Sequence, residues 1–209
     1  MSAAALAPWF LASYLLGAVP TSFLVARLVA GIDLRAAGSG NLGATNLFRQ
    51  LGWGYAIPVG VFDLLKGTIP VVVFSRWAGA TGMVPLLLGV TAVFGHVFSV
   101  FVRFRGGKGV ATGAGVVLAL APWAFLASLA VWALTLRLSG YVSLASILGA
   151  LVFPVATWLA HPEQRPVIWV HLLLALMIIA LHRANIQRLA RGTESRFRRP
   201  ASGPLARDG

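Results

Sequence analysis

Apolar residues run along this chain in long blocks, separated by short polar clusters. The first block covers roughly 4–30 and reads as one membrane helix. The second, 53–98, is too long for one helix. It breaks at Arg76-Trp-Ala-Gly-Ala-Thr-Gly82, with Pro85 just beyond, which predicts helices near 54–75 and 83–101. The last two blocks, near 142–160 and 167–182, flank His161-Pro-Glu-Gln-Arg-Pro166. The stretch 110–139 has two solutions. One helix would be ~45 Å long against a hydrocarbon core of ~30 Å. Two helices need a break at Ala121-Pro122 and leave a short fourth helix.

Charge chooses between them. The chain has 17 Lys and Arg against 5 acids, a net charge of +12. One helix would put Arg183, Arg188, Arg191, Arg196, Arg198, Arg199 and Arg207 outside. Two helices return them to the cytoplasm and leave only Arg76 and Arg165 outside. The expectation is an all-α polytopic membrane protein with seven transmembrane helices, its N-terminus out and its C-terminus cytoplasmic. Residues 1–191 form one integral-membrane domain, and 192–209 a basic, flexible cytoplasmic tail. The first block has no basic residue before it, and Arg27 follows it. A secretory signal has the opposite polarity, so this helix reads as retained.

Composition narrows the function. Apolar residues make up 58% and charged residues 11%, against roughly 25% charged in soluble domains. Little is left for a separate soluble domain. So much positive charge often marks a nucleic-acid binder, but here it sits at the ends of apolar runs and topology accounts for it. No nucleic-acid partner is expected; membrane lipids are. Cysteine is absent, which excludes disulfides, Cys-ligated metal and a cysteine acyl-enzyme. Trp9, Trp53, Trp77 and Trp123 fall near expected interfaces and read as belt residues.

The polar residues gather on the cytoplasmic side. One segment is Gly38-Ser-Gly-Asn-Leu-Gly-Ala-Thr-Asn46, followed by Arg49. A second is Gly95-His96, then Phe104-Arg-Gly-Gly-Lys-Gly-Val-Ala-Thr-Gly113. The others are Tyr141-Val-Ser-Leu-Ala-Ser146 and His182-Arg-Ala-Asn185, with Asp63 and Lys66 near the inner half of the second helix. Glycine-rich stretches let backbone N–H groups converge on an anion, and Arg49 and Lys108 add charge. Each segment also has a plainer account: a flexible turn, a positive anchor for the fourth helix, serines that pack helices, an interfacial histidine, an Asp63–Lys66 pair that neutralises itself. The second segment lacks the spacing of a nucleotide P-loop, and no parallel sheet is expected to hold one.

Other chemistries drop out. Acids are too few for a carboxylate metal cluster, so no metal is expected. No His is followed five positions on by Asp, which removes the usual acyl-CoA acyltransferase motif, and there is no Gly-x-Ser-x-Gly elbow. What remains is a cationic, donor-rich anion pocket at a membrane interface. An enzyme joining an acidic small substrate to a lipid-like one fits it, and so does a transporter of phosphate or an organophosphate. A transporter usually breaks its helices at mid-membrane and opens to both sides. The one-sided polar residues favour interfacial catalysis, and their convergence speaks against a purely structural protein.

Taken together, the five segments, including Asp63-Leu-Leu-Lys-Gly67 and His182-Arg-Ala-Asn-Ile-Gln-Arg-Leu189, resemble the bacterial acyl-phosphate:glycerol-3-phosphate acyltransferase (PlsY) family. The resemblance runs from the first helix to about Glu194. It implies a seven-helix inner-membrane enzyme, with its active site on the cytoplasmic face. Such an enzyme moves a fatty acyl group from acyl phosphate to the 1-position of glycerol 3-phosphate, giving lysophosphatidic acid and phosphate for phospholipid synthesis. No cofactor is implied, and the soluble enzyme that makes acyl phosphate is an implied partner. By motif position, Ser39, Lys108, Ser146 and His182 are the implied catalytic residues. Gly40, Asn41, Asn46, Arg49, His96, Gly107 and Asn185 are implied to bind substrate and phosphate, with backbone N–H groups near Gly40 and Gly107 completing the anion nest. Leu42, Ser99 and Arg105 depart from the commoner Pro, Pro and Lys, and none of the three removes a donor.

Overall fold

The structure, a computed structural model, describes residues 2–197. Among them every regular element is helical. In chain order these are α1 (Ala3–Ala18), α2 (Thr21–Ala30), α3 (Ala44–Leu51), α4 (Trp53–Trp77), α5 (Val84–Val97), α6 (Val110–Leu120), α7 (Pro122–Ser139), α8 (Val142–Ala160), α9 (Arg165–Leu181) and α10 (Arg183–Ala190). Four are long and apolar enough to cross a membrane: α4, α7, α8 and the run Val84–Val102 that α5 begins. The bent pairs α1–α2 and α9–α10 raise the count to six.

Proline and glycine set the boundaries. Pro85, Pro122 and Pro166 stand in the first turns of α5, α7 and α9, where a missing N–H costs nothing. Gly31 and Gly140 stop α2 and α7 in the left-handed conformation. The expected break at Ala121-Pro122 is present. It leaves α6 with 11 residues and α7 with 18. Both meet at that corner, so their far ends differ in depth by roughly 10 Å. The Lys108 loop that opens α6 is therefore recessed.

Two expectations change. The first block is not one helix. Pro20 cannot donate, and α1 and α2 bend by 42° around Val19-Pro20. At the bend the Ser99 hydroxyl donates to Ala18 O, and Val19 O accepts from Lys66 Nζ at 2.6 Å as well as from Thr21 N at 2.9 Å. Ser99, one of the departures from the family pattern, thus makes a bond that proline cannot. Second, α3 and α10 are short polar helices where the sequence suggested connecting segments.

Small residues let the helices touch. A Cβ on Gly67 of α4 would collide with Thr112 O of α6, and one on Gly115 with Leu64 O of α4. Gly17 and Gly95 make the same kind of crossing between α1 and α5. Close backbone approach of this sort carries helix association in lipid, where apolar burial alone supplies little. Beside the α4–α6 crossing, Lys66 and Asp63 pair at 2.6 Å with side-chain exposures of 0% and 3%. They neutralise each other, as the plainer sequence account expected.

Gly115→Val should overpack the α4–α6 crossing and cost about 1–3 kcal/mol. Gly54→Ala, with open space around its Cβ, should cost little. Thermal unfolding in detergent checks both; equal midpoints for the two variants would remove the crossing from the stability argument.

Candidate active site

One face of the bundle gathers the 31–43 loop, α3, the start of α4, the Phe98–Gly109 connection, the α7–α8 corner and α10. These enclose a cavity of about 650 Å³. Its cationic end is lined by Ser39, Gly40, Asn41, Arg49, Lys108, Ser146, His182 and Asn185, with His96 and Asp63 beside them. Its other end is an apolar groove between α4, α6, α7 and α8. The groove wall is open between α4 and α7, where Ile57 and Leu129 line it and are 56% and 45% exposed. Trp53, expected as a belt residue, also lines the cavity.

The Gly38–Asn46 segment is shaped from within by Asn46. Its amide nitrogen donates to Leu34 O, Ala37 O and Asn41 O, and its Oδ1 accepts from Ser39 N at 3.1 Å. The side chain is 1% exposed. Asn46, expected to bind phosphate, does line the cavity, and its side-chain hydrogen bonds go to the loop it organises. The expected backbone nest also changes. Gly40 N donates to Ala37 O and Gly107 N to His96 O, each at 3.1 Å, so neither N–H is free for an anion. Gly107 does not line the cavity. A Cβ there would strike His96 Nε2, and one on Gly106 would strike His96 O. These glycines let the Lys108 loop lie against the end of α5.

A chain of hydrogen bonds ties the cations together. Lys108 Nζ donates to Asn185 Oδ1. Asn185 Nδ2 donates to Glu194 Oε1 at 2.6 Å, Ser143 Oγ donates to the same oxygen at 2.7 Å, and Arg188 Nε donates to Glu194 Oε2 at 2.7 Å. The Glu194 side chain is 5% exposed. Burial pushes its carboxyl up, but the three hydrogen bonds outweigh that and hold it below its ordinary value. Burial holds the Lys108 ammonium down at about 8, with Glu194 opposing and Arg188 and Arg49 adding to the depression. Arg49, depressed by burial, donates to Ser195 O at 3.2 Å. Phe197 packs on Phe48 and Trp53, with ring centres 4.5 and 5.3 Å apart.

Residues 193–197 therefore lie against the site. The sequence put them in a flexible tail whose remainder, 198–209, falls outside the described residues. Glu194, Ser143 and Arg188 were not among the expected site residues. Their signals were faint: one of two acids in a basic tail, a serine three positions before Ser146, an arginine three after Asn185.

His182 Nδ1 lies 2.8 Å from Ile178 O. That carbonyl can only accept, so the proton sits on Nδ1 and Nε2 is left as an acceptor. His96 Nδ1 is 4.0 Å from Asp63 Oδ1. His161 and His171 lie away from the cavity; His171 is buried, 3.0 Å from Thr157 Oγ1.

A bundle with cations, hydroxyls and amides at one end of a lipid-open apolar groove belongs among membrane enzymes that act on phosphate-bearing lipid substrates. The glycerol-3-phosphate acyltransferase family profile matches residues 7–192, and the chain belongs to that family. A glycerol-3-phosphate acyltransferase of Desulforudis audaxviator is 49% identical over 88% of this chain and 92% of its own. One from Trichlorobacter lovleyi is 45% identical over 91% and 96%. Crystal structures of PlsY, an integral membrane glycerol 3-phosphate acyltransferase, superimpose with TM-scores of 0.86 for the glycerol 3-phosphate form and 0.84 for the lysophosphatidic acid form. They are 39% and 38% identical and cover 93% of this chain and 96% of theirs.

Glu194→Ala should lower kcat/KM by about tenfold or more, because Asn185 and Lys108 lose the anion that orients them. Glu194→Gln keeps an acceptor for Ser143 and Asn185 and should fall between Ala and the unaltered protein. Steady-state kinetics on detergent-purified variants checks this order, and unaltered kinetics in Glu194→Ala would refute it.

Proposed function

We propose that this protein transfers a fatty acyl group from acyl phosphate to the 1-position hydroxyl of glycerol 3-phosphate, releasing lysophosphatidic acid and phosphate. The observation that carries the reading is the joining of Arg49 and Lys108 to an apolar groove in one cavity. Two phosphate-bearing substrates repel each other, and cations offset that repulsion. Acyl phosphate is already activated, so neither nucleotide nor metal is needed. Holding the hydroxyl against the acyl carbon is worth up to ~7–11 kcal/mol.

In the reaction the hydroxyl oxygen bonds to the carbonyl carbon, the carbon–oxygen bond to phosphate breaks, and phosphate leaves with that electron pair. The hydroxyl proton passes to an oxygen of the departing phosphate. Arg49 and Lys108 hold the phosphates. Ser39, Asn41 and Ser146 donate to phosphate or to the developing oxyanion. His182 Nε2 and the Asn185 amide orient the glycerol hydroxyls, and His96 supports the Lys108 loop. The acyl chain lies in the groove.

The membrane topology belongs to the same reading. Seven spans, with the N-terminus outside and the site on the cytoplasmic face of the inner membrane, place nearly all described basic residues inside and leave Arg76 and Arg165 opposite. Cytoplasmic glycerol 3-phosphate then reaches the cations directly, and a soluble enzyme that makes acyl phosphate has access to the same face. The phosphate transporter is the weaker alternative, since the relatives are acyltransferases.

Purified protein should release phosphate from acyl phosphate and glycerol 3-phosphate and leave acyl-CoA unused. Equal turnover of acyl-CoA would overturn the donor assignment. The pH profile follows from Lys108. With its ordinary value lowered to about 8, the charged form, and with it anion capture, is present below that pH and lost as pH rises through it. kcat/KM should therefore fall above about pH 8, while glycerol 3-phosphate, with a second pKa near ~6, stays a dianion throughout. Lys108→Arg, whose guanidinium stays charged, should abolish that limb. A limb unchanged in Lys108→Arg assigns it to another group.

A further inference from the structure

The groove ends abruptly. Its lining stops at Leu64 on α4, Ala114 on α6, Phe125 on α7 and Phe153 on α8, although each of these helices continues past that level. Beyond it, the glycine crossing of α4 and α6 leaves no gap. On the other side Phe153, 4% exposed, is packed with Val117, Ala121 and Ala150, and Phe125 and Ala114 pack against that cluster. From Ser143 at the cationic end to Phe153 is ten residues of α8, or about 15 Å. That is half the ~30 Å hydrocarbon core, the depth of one leaflet.

We propose that Phe125 and Phe153 form a floor that sets the longest acyl chain the groove accepts, at about one leaflet's depth. This rests on the acyl-transfer reading above. A chain within that length buries all of its methylenes against α4, α6, α7 and α8. A longer one must bend out between Ile57 and Leu129 or leave its reactive carbonyl short of the cations. At mid-depth α4, α6 and α8 contribute small residues to the lining, Gly60, Ala111 and Gly149, opposite Leu129 and Trp132 of α7. A Cβ on Gly60 would meet nothing nearer than Ala44 Cβ at 3.8 Å. A larger side chain there would fill the groove without moving the backbone.

The test is a chain-length series of acyl phosphates, from twelve to twenty carbons, with saturating glycerol 3-phosphate. Phe125→Ala lowers the floor and should raise the kcat/KM ratio of the longest to the twelve-carbon donor by about tenfold. Single methylenes in tight pockets already discriminate to that degree. Gly60→Leu raises the obstruction and should lower the ratio by a similar factor, while KM for glycerol 3-phosphate stays unchanged. Because one variant removes bulk and the other adds it, misfolding cannot produce opposite shifts in a ratio. Ratios that stay flat in both variants overturn the floor. No turnover of any acyl phosphate by the unaltered protein would instead overturn the acyl-transfer reading itself.

Discussion

No water reaches the hydrocarbon core, so every backbone N–H and C=O placed there must find a partner within the protein. A straight helix meets that demand alone. A catalytic pocket does not, because it needs loops, breaks and charges below the membrane surface. The features around this cavity answer that constraint. Where the chain bends at Val19-Pro20, Ser99 donates to Ala18 O, and Lys66 joins Thr21 N on Val19 O. Lys66 then brings a charge, and Asp63 neutralises it. The 31–43 loop has no ladder of its own, and Asn46 supplies one side chain with four bonds to it.

The same constraint explains why the cations are held as a network. An ammonium recessed by roughly 10 Å loses hydration. Lys108 recovers part of that through Asn185, and Asn185 is held in turn by Glu194. Glu194 is the one acid in this relay, and it offsets charge from Lys108, Arg188 and Arg49 together. The excess of positive charge that remains is what a pair of phosphates would balance. Holding the cavity ready for anions therefore leaves it electrostatically incomplete without them.

The chain of apolar blocks made the helical bundle legible, and Pro122 with the basic tail resolved the ambiguous fourth helix. The kink at Pro20 was visible as a residue but not as a bend, because proline near a helix end often does nothing. α3 and α10 escaped because they are short and polar, and hydropathy marks only what faces lipid. The polar clusters do converge on one cavity at one face of the molecule. Residue type could not separate Asn46 from Asn41: both line the cavity, but Asn46, buried in α3, has its side chain bonded to the preceding loop. Gly107, which lies off the cavity against His96, was ambiguous for a related reason. A glycine that frees an N–H for an anion and one that makes room for a histidine look alike in sequence. Glu194 was hidden by its neighbours, since a basic terminal stretch reads as solvated however one acid within it is packed.

On the proposed acyl-phosphate reaction, so sparse a set of titratable groups suffices because of where the reaction's energy resides. A mixed anhydride of a fatty acid and phosphate has a good leaving group whose oxygens can take a proton, so the protein need not generate a strong base. Its tasks are to gather, neutralise and align. The residues match that division. Around the cavity, fixed donors such as Ser39, Asn41, Arg49, Lys108 and Ser146 outnumber groups that can accept a proton, and His182 has one nitrogen already committed to Ile178 O. A pocket built for general-base catalysis would show the reverse, with a carboxylate aimed at the histidine's second nitrogen. Two carboxylates line the cavity: Glu194 is turned to Ser143, Asn185 and Arg188, and Asp63 is paired with Lys66 at 2.6 Å with His96 Nδ1 4.0 Å away, while His182 is held by Ile178 O and by neither acid. On the proposed reaction, Glu194 acts on position, and the proton is left to the substrate.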